Sequence, residues 1–100
     1  MELVRKVSSG KRMAVDQQEL IDRYVERGPG RGWADARLRH YGVDVWALVM
    51  HFREAADGDP DIVAEDYHTP REAVDAALAY HERHHDVIDA QILLNRDSVA

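Results

Sequence analysis

From His68 to Asn95 the chain reads HTPREAVDAALAYHERHHDVIDAQILLN, and after Pro70 no glycine or proline follows. Nothing in that run stops a helix for about seven turns. Thr69, Pro70 and Glu72 supply a start signal: a capping hydroxyl, a proline suited to the first helical position, and a carboxylate able to reach back to the cap. Val74, Leu78, His81, His85, Ile88 and Ile92 recur at spacings of 4, 3, 4, 3 and 4, a heptad-like stripe that is apolar at both ends and histidine-rich in the middle. In a chain of 100 residues a helix this long outruns its own small domain. The expectation is that its front half belongs to a compact helical domain and its back half is a partner-binding arm. The competing reading is that it folds back on the core.

The rest of the chain sorts around this helix. Asp16 with Glu19 is a cap for a helix over about Gln17–Arg27, whose Leu20, Ile21, Tyr24 and Val25 share a face. Gly28-Pro29-Gly30-Arg31-Gly32 is the clearest linker. Ala34, Ala36 and Leu38 alternate with Asp35, Arg37 and Arg39, which suits a short strand or hairpin arm turning at Tyr41-Gly42. Asp44 caps a core helix carrying Val45, Trp46, Leu48, Val49 and Phe52, expected to run to about Ala56 and to break at Asp57-Gly58-Asp59-Pro60. Asp59 and Pro60 then start a short helix over Asp61–Tyr67, with Ile62, Val63 and Tyr67 inward. Two helices joined by so short a turn have the layout of a helix-turn-helix. The expected fold is therefore mainly α, a small helix-turn-helix bundle with a short N-terminal β arm and a long C-terminal helix. Residues 1–32 form an arm, a helix and a linker, and residues 33–100 the helix-turn-helix domain.

Composition narrows the function classes. With no cysteine, disulfides and thiolate metal sites drop out, which fits a reducing compartment. No apolar run approaches the roughly 18 residues of a membrane span, and MELVRKVSSG lacks the apolar centre of a secretory signal, so a cytoplasmic protein is expected. Charge is uneven: nine Lys/Arg against six Asp/Glu in residues 1–40, four against thirteen in 41–100, for a net −6. An acidic C-terminal half repels nucleic acid and attracts basic proteins. A core this small is marginal alone, so a homodimer or a stable partner is expected.

Three segments, Tyr41-Gly-Val-Asp-Val-Trp-Ala-Leu-Val49, Asp61-Ile-Val-Ala-Glu-Asp-Tyr67 and Thr69-Pro-Arg-Glu-Ala-Val-Asp-Ala-Ala-Leu-Ala-Tyr80, together resemble the bacterial family of unknown-function domains numbered 433. Its members are helix-turn-helix antitoxins grouped with the VapB type. Val87-Ile-Asp-Ala90 and Asn95-Arg96 resemble its actinobacterial branch, and the likeness spans roughly Ala34–Arg96. It implies tight binding to a cognate toxin, typically a PIN-like ribonuclease encoded beside it, and repression of its own promoter as a dimer. Many members carry a Gly-Thr-Arg-hydrophobe-Pro-Val segment before the core helix. Here Ala36–Val45 has no proline, so that arm's turn geometry and inter-subunit pairing are not carried over.

Toxin contact is assigned to the apolar anchors Tyr80, Val87, Ile88, Ile92, Leu93 and Leu94, with Arg83, Asp86 and Asp89 as polar rim. The DNA-facing candidates are Arg37, Arg39, His68, Thr69 and Arg71. Glu72 and Asp75 sit poorly beside phosphates, and the other cations, Arg5, Lys6, Lys11, Arg12 and Arg31, lie outside the motif. The alternative is a stand-alone DNA-binding regulator whose C-terminal helix only dimerises. No metal is expected: His81 and His85 share a helical face with His84 adjacent, but no second ligand cluster accompanies them. No enzyme is expected either, since the three serines lie near the termini and the Gly28–Gly32 run lacks the Lys-Ser/Thr ending of a phosphate loop.

Overall fold

The computed structural model describes residues 17–27 and 32–99, the last three by backbone alone. The Asp16 cap, the cations Arg5, Lys6, Lys11, Arg12 and Arg31, and most of the Gly/Pro linker lie outside the described residues. The protein is mainly helical with one short antiparallel sheet near the N-terminus. Helix α1 covers residues 17–24 and passes directly into strand β1, Val25–Glu26. A single 3-10 turn, Trp33–Asp35, precedes β2, Arg37–Leu38. Then come α2 (Val45–Glu54), α3 (Pro60–Tyr67), α4 (Arg71–Arg83) and α5 (His85–Val99).

The helix expected to reach Arg27 ends three residues early because pairing captures its last turn. Val25 aligns with Leu38 and Glu26 with Arg37, while the Arg39 amide donates to the Tyr24 carbonyl at 2.6 Å. The alternating stretch after Trp33 does make a hairpin arm: Arg37 bridges Asp44, the Leu38 amide donates to Val43, and the turn carries positive φ at His40 (73°) and Gly42 (69°). β2 is thus the middle of three short extended segments. Buried Leu38 and Val25 pin it to the helices. The core does not stop at residue 32: Ile21 and Val25 share one buried cluster with Val45, Leu48, Val49, Val63, Val74, Ile88 and Ile92.

The helix-turn-helix is α3, the turn His68–Pro70, and α4. Asp59 caps α3 as read from sequence, its Oδ1 accepting from the Asp61 amide at 2.9 Å. Val63 points inward, while Ile62 is exposed and Tyr67 half-buried against the His51 ring. The turn is a Schellman motif: His68 takes the left-handed conformation (φ 56°), its amide donates to Glu65, and the Thr69 amide donates to Ala64. That arrangement overrides the expected capping box. Thr69 is locked into the turn with its hydroxyl buried and unpaired, and α4 is capped by the Pro70 backbone with no side-chain bond. Glu72 instead accepts from the Tyr24 hydroxyl (3.3 Å) and pairs with Arg23 (3.5 Å), tying α4 to α1.

The long C-terminal helix is divided. His84 (φ −131°, ψ 34°) separates α4 from α5 although no helix breaker is present. α5 folds against α2 and the Trp33 turn, burying Ile88 and Ile92. The competing reading, folding back on the core, therefore describes the first turns of α5. Burial of two isoleucines is worth about 1.5–3 kcal/mol each, enough to hold one non-helical residue.

Candidate partner-binding face and DNA-facing residues

α5 is held by a polar cluster at its root and an aromatic stack at the bend. His81 Nε2 lies 2.9 Å from Asp89 Oδ1 and 3.1 Å from Arg53 Nη2, and Arg53 donates to the same Asp89 oxygen at 3.1 Å. A guanidinium only donates and a carboxylate only accepts, so His81 Nε2 satisfies one neighbour at a time; the shorter contact, to Asp89, is the one we assign. That hydrogen bond, with the Arg53 charge adding to it against partial burial, holds the Asp89 carboxyl below its ordinary range. Farther along, Arg96 pairs with Glu54. At the bend, the His84 ring stacks on Trp33 (4.4 Å, 10° between planes) and tilts against Tyr80 (4.5 Å). The Arg27 guanidinium covers Trp33 at 3.7 Å, and the Tyr80 hydroxyl donates to the Trp33 carbonyl at 2.6 Å. Burial, then the charges of Arg27 and Arg83, push the His84 pKa down, and burial pushes the Tyr80 phenol up.

This arrangement divides the expected anchors in two. Tyr80, Ile88 and Ile92 are buried in the chain's own core and present no surface to a partner. Val87, Leu93 and Leu94 are 39%, 60% and 61% exposed. Arg83 is exposed but donates to Gln18 of α1. Trp33, 48% exposed, adjoins Val87 across a cleft of about 210 Å3 that is also lined by Arg83, His84, His85 and Asp86. Its other side opens on a cavity of about 330 Å3 between α1, β1 and α4. Trp33 and Arg27 were not identified from sequence as site residues. Their partners lie far along the chain, and no local pattern marks them.

The DNA-facing candidates do not form one cationic surface. Arg37 is paired with Glu26 (3.7 Å). Arg39 pairs with the same carboxylate (3.8 Å) and donates to the carbonyls of Asp22 and Val25. Arg71 is held by Asp75 (2.9 Å) and Asp61 (2.7 Å), hydrogen bonds that raise its pKa further. Thr69 is buried and cannot reach a base edge, and His68 is committed by its backbone to the turn. Each arginine would have to exchange a carboxylate for a phosphate. Among the described residues no group of three or more His, Asp or Glu is placed to hold a metal ion, and no helix is long and apolar enough to cross a membrane. Comparison with known proteins finds no matching family model, curated relative or solved structure.

Proposed function

We propose that this chain is a cytoplasmic, non-enzymatic antitoxin that neutralises a PIN-like ribonuclease toxin by direct contact through the outer face of α5. The observation that carries this reading is the exposure of Val87 and Leu93 on a helix whose opposite side is fixed by Ile88 and Ile92. Exposed apolar side chains on a rigidly mounted helix favour docking into a groove. The acidic half of the chain suits the cationic surroundings that a ribonuclease needs for RNA, and the resemblance over Ala34–Arg96 names the class of partner. The stand-alone regulator is the weaker reading, because Arg37, Arg39 and Arg71 are already paired with carboxylates.

The test expresses the tagged chain with the product of the neighbouring reading frame and scores co-purification and inhibition of RNA cleavage. Val87→Asp with Leu93→Asp leaves the core untouched and is expected to weaken binding by about 30-fold or more, the scale of losing roughly 2 kcal/mol of anchor contact. Ile62→Asp, on exposed α3, is the control. Full inhibition by the doubly substituted chain would remove α5 as the toxin face.

A further inference from the structure

We infer that α4 and α5 are one helix bent at His84 by the core, and that straightening it delivers α5 to a second copy of this chain as a domain swap. This goes beyond the toxin-binding reading and does not depend on it. The first support is local. Arg71–Val99 contains no glycine or proline, and a single residue leaves helical geometry. The His84 amide still donates to Tyr80 and His81, and the His84 carbonyl accepts from Ile88, so regular helix resumes on both sides. A helix start leaves amides without intrahelical acceptors, and joining the two segments restores those bonds. Backbone chemistry alone therefore favours the straight form.

The second support is periodicity. The stripe Val74, Leu78, His81, His85, Ile88, Ile92 keeps its 4-3-4-3-4 phase straight through the break. In the bent chain His85 leaves the stripe for solvent, while Val74, Ile88 and Ile92 are buried. A phase that crosses a bend describes one face only when the helix is straight.

What opposes straightening is contact across the bend: Ile88 and Ile92 against the core, His84 on Trp33, Asp89 on His81 and Arg53, and Arg96 on Glu54. A second copy offers the same α2 and the same Trp33 turn. Exchange of α5 keeps the contacts to α2 and adds helical bonds at the junction, against the entropy of association. The swapped form therefore grows with protein concentration.

The absence of native cysteine makes the exchange directly visible. Arg53→Cys and Asp89→Cys, in separate chains, are mixed, unfolded, refolded together at high concentration and treated with a short bis-maleimide linker, because an arginine–aspartate pair spans more than a disulfide does. A closed chain keeps the two positions together within itself, so 53–89 linkage above the collisional background of the two variants refolded separately and then mixed reports a swap. The expected result is a 53–89 linked heterodimer in clear excess over either variant treated alone and over the separately refolded mixture. His85→Pro, which a continuous helix cannot carry without a kink, is expected to reduce the linked product and the light-scattering dimer by about tenfold or more. Linkage confined to single chains of the doubly substituted Arg53→Cys/Asp89→Cys protein at every concentration would overturn the inference. So would dimerisation that His85→Pro leaves unchanged. Should His85→Pro not fold, the mixing experiment decides the matter by itself. The experiment uses no toxin, so its failure leaves the antitoxin reading standing, and the reverse holds too.

Discussion

Thr69, Asp89 and His84 each hold a side chain in a setting that water would not choose. The Thr69 hydroxyl is buried without a partner, so a group that costs desolvation gives nothing back. Thr69→Val, near in shape, is expected to leave the turn intact and to raise stability by up to about 1 kcal/mol, read as an increase in Tm; a clear loss would mean the hydroxyl is satisfied in solution. Asp89 and His84 set two acid windows. The Asp89 pKa is lowered by folding, so its contribution is present above the ordinary carboxylate value and is lost as pH falls through the folded one. The His84 pKa is also lowered, which for a base has the opposite charge logic: the unfolded chain takes the proton first. Stability is therefore unaffected well above the ordinary value of 6.5 and declines as pH drops below it. Asp89→Asn should flatten the lower window of a Tm-against-pH curve and His84→Phe, which keeps a stacking ring, the upper one. Unchanged slopes would contradict these assignments.

At the scale of elements, α5 is held along one side only, by Ile88 and Ile92 in the core, the Asp89 cluster at its root and the Arg96–Glu54 pair farther along. Ile88→Ala is expected to cost about 2–5 kcal/mol, read by urea unfolding, and in hydrogen exchange the α5 amides should lose protection ahead of those in α4. Equal loss in both helices would show that they unfold as one unit. This is also where sequence and structure part. The order of α2, α3 and α4, the Asp57–Pro60 break, the Asp59 cap and the inward Val45, Leu48, Val49, Val63 and Val74 were all legible, because periodicity and turn chemistry are local signals. The bend at His84 was not, since Trp33 and α2 impose it from a distance. The same holds for Val25 and Glu26, drawn out of α1 by strand pairing. It holds for Thr69 as well, whose capping role was lost when His68 adopted a left-handed conformation more usual for glycine. For the candidate site, sequence identified the helix that carries the exposed apolar residues. It could not say which anchors the core would claim, because the hydrophobic pattern of α5 looks alike on both sides.

For the molecule as a whole, charge is the long-range property. Thirteen acidic against four basic residues in 41–100 create a negative field that reaches beyond any single contact. On the proposed antitoxin reading, raising salt from about 50 to 300 mM should slow association with the toxin by roughly tenfold while changing dissociation little, as stopped-flow mixing would record. A rate indifferent to salt would mean the apolar face alone finds its target. The Trp33–His84 stack has an optical consequence. Trp33 is one of only two tryptophans, and it is sandwiched between an imidazole and a guanidinium. Both neighbours perturb indole emission, so loss of the stack changes brightness and colour at the bend itself. With Trp46→Phe the chain becomes a fluorophore whose signal follows the angle between two helices, with no dye attached.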